Sequence, residues 1–424
     1  MMIKENFLHY LWQNKLFATH NLQSTDGETV EIIDIGRRNS DAGADFFNAK
    51  IKIGGEMWAG CVEIHLKSSD WLRHKHQHDE AYHSVILHVV QEADTDIFRP
   101  TGEKIPQLVL PISQEMLEKY ETLLDKKEKI RCAEDFSEIP DIFIHSWLNT
   151  LLLERLQRKT EHIAALLERN RNDWEEAFYA VLLRNFGFGL NSEPFERLAH
   201  SLPQAYLQKH KNSLLQIEAM FFGQAGLLPE EASDEYAEKL KREYTFLKSK
   251  FGLQPLENAG WKLLRLRPVN FPHVRMAQFS ALVHQSSKLF SKIIEKPDYD
   301  YICKLFSAEP SEYWETHYTF RHASPPRSKN LGKNAIDTLI INTIAPFLFF
   351  YGQRNGNEAL QESALKLLEK IPSEHNHIIE EWAEIGIKAK NAFDTQALIE
   401  LHKNYCERKD CLRCRIGHKV LTRK

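Results

Sequence analysis

Three ionisable side chains are spaced two residues apart within a stretch of strand-like sequence. They are Glu63, His65 and Lys67, and a β-strand would present all three on one face. The aliphatic residues between them would face a core on the opposite side. A carboxylate, an imidazole and an ammonium group in a row can hold a metal ion and move a proton. The alternative is a solvent-exposed strand face, on which alternating charges are common. The motif alone favours that alternative, and the element order described below makes the two interpretations level.

Asp45 begins the extended run that precedes this strand. The two runs are separated by Gly54-Gly55, a hairpin signal, so the hairpin would bring Asp45 close to Glu63. Two carboxylates and a strand carbonyl suit Mg²⁺, with Mn²⁺ as the alternative ion. A metal ion there would activate water and neutralise charge on a phosphate, while His65 or Lys67 orients the water or the phosphoryl oxygen.

The segment that follows the strand, Trp71 to Asp79, is rich in histidine. His74 and His78 are four residues apart, as on one face of a helix, and that spacing can chelate a transition metal. A metal hydrolase built on His74, His76 and His78 is therefore one interpretation. The other is a polar helix start on the surface, capped by Ser69 or Asp70, and the sequence favours this one over a zinc site.

Three of the six cysteines lie close together near the end of the sequence. Cys406, Cys411 and Cys414 have the spacing C-x4-C-x2-C, and His418 follows. Three thiolates and a histidine would complete a tetrahedral zinc site. Thiolates also hold iron–sulfur clusters, for which Cys132 would be the fourth ligand. Cysteines that only contribute to a core, or that respond to oxidation, are the alternatives. The surrounding residues 401–424 contain eight lysines or arginines against two acidic residues, a patch that can contact phosphates.

A second basic segment flanks Pro325-Pro326. Arg327 and Lys329 lie in a probable loop there, and both side chains suit a nucleic-acid groove or, alternatively, a structural role.

The elements that must position these residues follow a simple order. Apolar residues at helical spacing predict a helix over Glu5 to Phe17, and alternating or aliphatic runs predict strands. From about Ser113 long amphipathic runs predict helices. We therefore expect an α+β protein, with an α/β domain over 1–125, a helical region of one or two subdomains over 126–400, and a basic cysteine-rich tail over 401–424. The predicted strands are Val30–Ile35, Asp45–Ile53, Met57–Lys67, Ser84–Val90 and Gln107–Pro111, with a helix between Ser68 and His83.

The bulk composition is that of a folded protein without a strong electrostatic bias. Hydrophobic residues make up 42% and charged residues 27% of the 424 residues, and the formal net charge is −4. Six cysteines do not make a disulfide framework, and the N-terminal residues do not form a signal peptide. The most apolar stretch, Thr338 to Tyr351, predicts a buried helix and is too short for a membrane span. We therefore expect a cytoplasmic protein without a membrane partner, and the sequence predicts no oligomeric state.

Two resemblances follow from these residues. Trp58 to His65, Ser69-Asp70-Trp71, Asn270-Phe271-Pro272 and the cysteine tail resemble a bacterial family of unknown function, over nearly the full length. The region from the first helix to the fourth strand resembles the PD-(D/E)XK nucleases, whose core runs helix, strand, strand, strand, helix, strand. Ala44-Asp45 corresponds to the first motif, and Glu63 to Lys67 corresponds to the second. A lysine is expected two residues after the acid, where this chain has His65, and Lys67 comes four residues after it.

This second resemblance implies roles for individual residues. Asp45 and Glu63 would bind the metal, with Glu5 or Glu31 as a further carboxylate. The helix after the third strand would face a phosphate backbone. Some of these nucleases carry an iron–sulfur cluster with one early and three late cysteines, which matches Cys132 with the tail. The residues of that helix expected to contact nucleic acid are Arg73, His74, Lys75 and His78.

The sequence thus predicts a metal-dependent nuclease or another nucleic-acid processing enzyme that hydrolyses phosphodiester bonds. The alternative, motivated by the displaced lysine, is a non-enzymatic interaction protein that keeps an inactive nuclease-like core as a scaffold.

Overall fold

The chain forms two compact units in a computed structural model that describes residues 3–39, 41–231 and 234–423, with only the backbone of His322. The first unit comprises Met1–Ile144 together with His402–Lys424, and the second comprises His145–Leu401. The first unit thus extends beyond the expected boundary at residue 125, and it includes the cysteine-rich tail that we expected as a separate segment. The chain is a mixed α/β protein, with a mixed sheet near its N-terminus followed by a helical region.

A seven-stranded sheet forms the centre of the first unit. Its strands run in the order β1-β2-β4-β5-β6-β7, and β3 pairs with β4. The β4–β5 pair is antiparallel, whereas β5–β6 and β6–β7 are parallel. The five strands expected from the sequence are confirmed, although the last one, expected over Gln107–Pro111, is only three residues long. The bounds are β1 (Leu22–Gln23), β2 (Thr29–Asp34), β3 (Arg37–Arg38), β4 (Phe46–Ile53), β5 (Glu56–Lys67), β6 (Val85–Glu92) and β7 (Gln107–Val109).

The predicted Gly54-Gly55 hairpin joins β4 to β5. Both glycines have positive φ values, 59° and 96°, as a two-residue turn of this type requires. The Ile53–Glu56 pair next to the turn sets the register. An irregularity between Phe46 and Ala49, where Asn48 has a φ of 56°, shifts that register near the start of β4.

Strand β5 lies in the interior of the sheet and is buried on both faces. All five residues from Cys61 to His65 are buried, because β4 and β6 cover its edges and other elements cover its faces. The interpretation of this strand as a solvent-exposed face is therefore wrong for Glu63 and His65. The aliphatic residues Val62 and Ile64 belong to the main core of the unit, as predicted.

Helix α1 (Glu5–Gln13) confirms the predicted first helix and buries Phe7, Leu8, Leu11 and Trp12 in that core. The predicted helix after β5 is wrong in length. Helix α2 (Asp70–Arg73) is a single turn, because Lys75 adopts a left-handed conformation with a φ of 62° and stops it. Two 3₁₀ turns follow, at His76–His78 and Glu80–Tyr82, and helix α3 (Gln114–Asp125) comes after β7.

The second unit is almost entirely helical. The helices predicted for the region after Ser113 are confirmed. A short hairpin of β8 (His317–Thr319) and β9 (His322–Ala323) accompanies them. The helices are α4 (Asp141–Arg169), α5 (Trp174–Phe186), α6 (Ser192–Ser201), α7 (Gln204–Gln208), α8 (Leu214–Gln224), α9 (Glu235–Phe251), α10 (Pro272–Gln285), α11 (Leu289–Glu295), α12 (Tyr299–Leu305), α13 (Lys333–Leu339), α14 (Ala345–Arg354), α15 (Glu358–Lys370), α16 (His377–Glu384) and α17 (Ala392–Leu401).

Helices α13 and α14 are continuous through a π-helical segment, Ile340–Ile344. This stretch, Lys333–Arg354, is the part of the described chain whose length and apolar composition would allow it to cross a membrane. It is longer than the apolar run expected from the sequence. However, 72% of its most apolar window is buried inside the structure, as in the core helix of a soluble protein. The predicted buried helix is thus confirmed, whereas the cytoplasmic location stays a prediction.

The tail belongs to the first unit. A π-helical segment, His402–Cys406, leads through turns to helix α18 (Arg415–Thr422). Gly417 lies so close to the preceding turn that a methyl group at its Cα would overlap the backbone carbonyl of Cys411. This close approach fixes α18 against the turn that carries the tail cysteines.

Candidate active site

Asp45 and Glu63 lie side by side on neighbouring strands. The Phe46–Val62 pair of β4 and β5 puts the residue before β4 opposite Glu63. The backbone N–H of Asp45 donates to Glu63 Oε2 at 3.0 Å, and the Ile64 N–H donates to Asp45 Oδ2 at 2.9 Å. The backbone of each strand therefore holds the carboxylate of the other, as the hairpin predicted.

Glu63 is a buried acid with a displaced pKa. It is 5% exposed, and burial raises its pKa to about 9, with a further contribution from the Asp45 carboxylate. Without a cation its carboxyl group is therefore protonated at neutral pH. A divalent ion at this position would stabilise the carboxylate form and offset the cost of burial.

His65 lies beside Glu63 and is also buried, at 2% exposure. Its Nδ1 is 2.9 Å from His88 Nε2, and its Nε2 is 3.2 Å from His74 Nδ1. Burial lowers the pKa of His65 to about 2, and the imidazoles of His88, His76 and His74 lower it further. His65 is thus a neutral imidazole whose nitrogen lone pair can bind a metal ion or accept a hydrogen bond.

His76 completes a group of three imidazoles. The left-handed Lys75 turns the chain back, so that His76 Nε2 lies 3.5 Å from Glu63 Oε1. His65 Nε2 lies 3.5 Å from the same oxygen. The metal-binding atoms of His65, His74 and His76 all lie within 4.8 Å of one another. His78, which the helical spacing had paired with His74, is exposed and does not belong to this group.

Helix α1 supplies two further groups to this centre. His9 Nε2 lies 3.1 Å from Asp45 Oδ2. Burial raises the pKa of Glu5, whose carboxyl group also interacts with His9, Asp45 and His74. Glu5 therefore lies at the centre, whereas Glu31, the other carboxylate considered from the sequence, is exposed on β2.

His9 and His88 were not identified from the sequence. His9 is one helical turn after Glu5. His88 is the polar residue within the aliphatic part of strand β6, from Val85 to Val90, and it lies opposite Glu63 in the parallel register. Both positions are visible in the sequence once the pairing of the strands is known.

Lys67 does not join the centre. Its Nζ lies 2.8 Å from Glu92 Oε2 at the far end of β5 and β6, and about half of its side chain is exposed. The hydrogen bond with Glu92 raises the pKa of this lysine. For Lys67 the interpretation as part of a solvent-exposed strand face is therefore correct. His65, and not Lys67, lies beside the carboxyl group of Glu63.

The residues expected to contact nucleic acid have different environments. Arg73 is exposed and forms an ion pair with Asp70 at 2.8 Å, and Lys75 is exposed in the turn. Arg327 is exposed in the second unit. The prediction for Lys329 is wrong, because this side chain is 2% exposed and its Nζ donates to the carbonyls of Glu315 and Arg327.

The four cysteines considered for a metal site lie together. Cys132, Cys406, Cys411 and Cys414 line one small cavity in the first unit. Burial raises the pKa of the Cys132 and Cys406 thiols, and the other cysteines add to both shifts. The alternative ligand, His418, accompanies Tyr10 instead: its Nδ1 lies 3.0 Å from the tyrosine Oη.

Arg131 lies at the wall of this cysteine cavity. Its side chain is 7% exposed, and its Nη1 has no hydrogen-bond partner among the described residues. A buried guanidinium with an unpaired N–H is costly unless an anionic group lies beside it. Deprotonated thiolates around a metal ion would be such a group.

A large open cleft lies in the same unit. Its volume is about 1260 Å³, and basic side chains outnumber acidic ones along its walls. Helix α1 contributes residues to both the cleft and the carboxylate–histidine centre: Asn6, Tyr10 and Gln13 line the cleft, and Glu5 and His9 lie at the centre. The charged residues that line the cleft are Lys4, Arg38, Asp41, Arg131, Arg408, Lys409, Asp410, Arg413 and Arg415.

One family model matches residues 5–377, and its description is "Protein of unknown function (DUF2851)". The chain belongs to this family. No curated protein and no solved structure matches the chain.

The DUF2851 match includes every residue of the carboxylate–histidine centre, from Glu5 to His88, and it also includes Cys132. The three tail cysteines lie beyond its last matched residue. The family confirms the resemblance over nearly the full length, whereas the likeness to PD-(D/E)XK nucleases stays a prediction.

Proposed function

We propose that this protein is a metal-dependent hydrolase of phosphodiester bonds in nucleic acid, with the Asp45–Glu63 centre as its active site. The observation that carries the proposal is the pair of carboxyl groups on adjacent strands, each accepting a hydrogen bond from a backbone N–H of the other strand, with a neutral imidazole beside them. Buried ionisable groups with strongly displaced pKa values are frequent at catalytic sites.

The residues present fit a divalent ion. Asp45 and Glu63 would hold Mg²⁺ or Mn²⁺, and the bound ion would supply an activated water and neutralise charge on the phosphate. His65 Nε2 lies 3.5 Å from Glu63 Oε1, so its neutral ring would bind the ion or orient the metal-bound water through a nitrogen lone pair. His9 and the Ile64 N–H hold the Asp45 carboxylate in place from two sides.

The arrangement supports a likeness to PD-(D/E)XK nucleases. Asp45 precedes the second long strand, Glu63 lies on the third, and Glu5 comes from the first helix, which is the expected order of elements. The departure is the residue two positions after Glu63, which is histidine. Since Lys67 binds Glu92 instead, we propose that His65 takes the place of the lysine.

Nucleic acid is the substrate class that the surroundings favour. The basic cleft and the centre share helix α1, and a cleft lined by lysine and arginine suits a phosphate backbone. The segment around Arg73 and Lys75 adds exposed basic groups after β5.

A cleavage assay tests the proposal. Purified full-length protein is incubated with single- and double-stranded DNA and RNA in Mg²⁺ or Mn²⁺, alongside Glu63→Gln and Lys67→Ala. We expect cleavage by the wild type, a loss of at least about 100-fold in Glu63→Gln, and near wild-type rates in Lys67→Ala. The two variants are matched, because they lie four residues apart on β5 and Lys67 binds outside the centre.

The rival function is that of a non-enzymatic interaction protein with an inactive core. The observation that favours it is the ion pair that holds Lys67 away from the carboxylates. Absence of metal-stimulated cleavage on all four substrates, by folded wild-type protein, would support this alternative and reject the hydrolase.

We further propose that Cys132, Cys406, Cys411 and Cys414 hold zinc or an iron–sulfur cluster that fixes the tail. Their shared cavity and the buried Nη1 of Arg131, which has no hydrogen-bond partner among the described residues, support this. Metal analysis and the visible absorption spectrum of the isolated protein distinguish the two. Cys406→Ser should lose the metal and Cys303→Ser, which changes a cysteine of the second unit, should keep it. Equal metal content in both variants would contradict the proposal.

A further inference from the structure

We infer that His65, His74, His76 and Glu63 form a binding site for a divalent transition-metal ion of the zinc type. A catalytic role for this ion rests on the proposed function. The existence of the binding site is inferred from the positions of four side-chain atoms, and the experiment that tests it does not require cleavage.

The distances between these atoms match those of a metal coordination sphere. A tetrahedral ion with metal–nitrogen bonds of about 2.0–2.1 Å separates its ligand atoms by about 3.3 Å. His65 Nε2 lies 3.2 Å from His74 Nδ1 and 3.5 Å from Glu63 Oε1. His76 Nε2 lies 3.5 Å from the same carboxylate oxygen. Three of the six separations among these four atoms thus lie close to the edge length of one tetrahedron.

The ring of His65 is held in the orientation that a metal ligand needs. Metal-binding histidines usually donate their second ring N–H to a protein acceptor. His65 Nδ1 lies 2.9 Å from His88 Nε2, so it can donate there and leave the lone pair of Nε2 for the ion. His88 is 0% exposed, and its other nitrogen has no hydrogen-bond partner among the described residues. A buried histidine placed there thus acts as the supporting acceptor.

The other ligands come from a segment whose backbone is shaped to present them. The left-handed Lys75 separates His74 from His76 and turns both rings toward His65. The ring of His76 stacks on Tyr82 at 3.7 Å between centroids, which fixes its position. His78 follows two residues later and is exposed, outside the group.

The donor set selects the class of ion. Magnesium and calcium prefer oxygen ligands, whereas imidazole nitrogen suits zinc and its neighbours in the first transition series. Three nitrogens and one oxygen therefore favour zinc-type ions over magnesium at these four atoms. Glu63 belongs both to this site and to the Asp45–Glu63 pair, so the ion would lie beside the Asp45 carboxylate.

The test counts zinc ions bound per chain. Full-length protein is freed of metal with a chelator under reducing conditions, equilibrated with Zn²⁺ in the presence of excess Mg²⁺, desalted and analysed for zinc. The variants are His74→Gln, His76→Gln and the exposed neighbour His78→Gln. The cysteine cavity is unchanged in all of them, so any zinc there is common to the whole set.

We expect His74→Gln and His76→Gln to bind one zinc ion fewer than the wild type, and His78→Gln to bind the same number. His74 is exposed, so its substitution should leave the fold intact, which circular dichroism checks. Equal zinc content in the wild type and in folded His74→Gln would overturn the inference. Zinc loss without any phosphodiester cleavage by the wild type would instead keep the site and reject the proposed hydrolase.

Discussion

At the scale of residues, burial dominates the chemistry of the centre. Glu63 and His65 are 3.5 Å apart, yet the pKa of the acid is raised to about 9 and that of the imidazole is lowered to about 2. Both groups are therefore neutral at pH 7 in the metal-free protein, and their contact is not an ion pair. The desolvation cost of two buried charges exceeds their mutual attraction here. A bound cation would change this balance, because it stabilises the carboxylate and requires neutral imidazoles.

The buried histidines should make the metal-free protein sensitive to acid. The pKa of His88 is lowered to about 3 from 6.5, chiefly by burial. Below pH 6.5 the unfolded chain binds a proton at this residue that the folded chain does not, so the free energy of unfolding falls as the pH falls. The stability that the neutral, buried His88 contributes is fully present above pH 6.5. It falls by at most about 1.4 kcal/mol for each pH unit below that value.

Replacing His88 by glutamine removes this protonation site from both the folded and the unfolded chain. In chelator, the stability difference between wild type and His88→Gln should therefore shrink as the pH is lowered from 7 to 5, in urea unfolding experiments. His78→Gln, which changes an exposed histidine, should show a constant difference from the wild type. Parallel pH profiles for wild type and His88→Gln would show that this residue is not protected from protonation.

At the scale of elements, the turn after helix α2 decides which histidines meet. Lys75 has a φ of 62°, a conformation that glycine adopts freely and β-branched residues avoid. Lys75→Gly should therefore keep the His65–His74–His76 group, and Lys75→Val should disrupt it. Zinc binding to the two variants is the measurement, and both remove the same positive charge. Equal binding by both would mean that the left-handed turn is not needed for the group.

The same turn explains where prediction from sequence succeeded and where it failed. The Gly54-Gly55 hairpin is specified locally, by two glycines and by alternating residues on either side, so the placement of Asp45 beside Glu63 followed from the sequence. The histidine segment has polar residues at helical spacing, but a single left-handed residue ended the helix after one turn. A lysine at position 75 does not by itself predict a left-handed conformation.

His88 and Lys67 show a second limit. The face of β5 on which Glu63 and His65 lie is covered in part by the rings of His74 and His76, so the periodicity of the strand alone did not reveal its burial. Lys67 shares that face but lies where β6 supplies Glu92 as a partner. Which ionisable residues join a centre thus depends on the pairing of β5 with β6, a contact between strands separated by the histidine segment.

At the scale of the whole molecule, the tail is part of the first unit and contributes to its basic cleft. Arg408, Lys409 and Arg413 line that cleft together with Lys4 and Arg38 from the beginning of the chain. The formal charge of the full chain is −4, so a general attraction for nucleic acid is not expected. Under the proposed function, nucleic-acid binding would come from this local concentration of basic groups, and its strength would fall with increasing salt.

The salt dependence of binding measures how many of these groups contact phosphates. With Glu63→Gln as the background to prevent cleavage, the affinity for a fluorescent DNA or RNA oligonucleotide is measured by anisotropy at several salt concentrations. Removing Arg408 and Lys409 together as alanines should reduce the slope of log affinity against log salt by roughly 1.4–1.8, about 0.7–0.9 for each lost phosphate contact. Lys366→Ala, which removes an exposed lysine of the second unit, is the control and should leave the slope unchanged. An unchanged slope in the double variant would place the nucleic-acid surface elsewhere, because cations that contact phosphates cannot be removed without releasing fewer counterions.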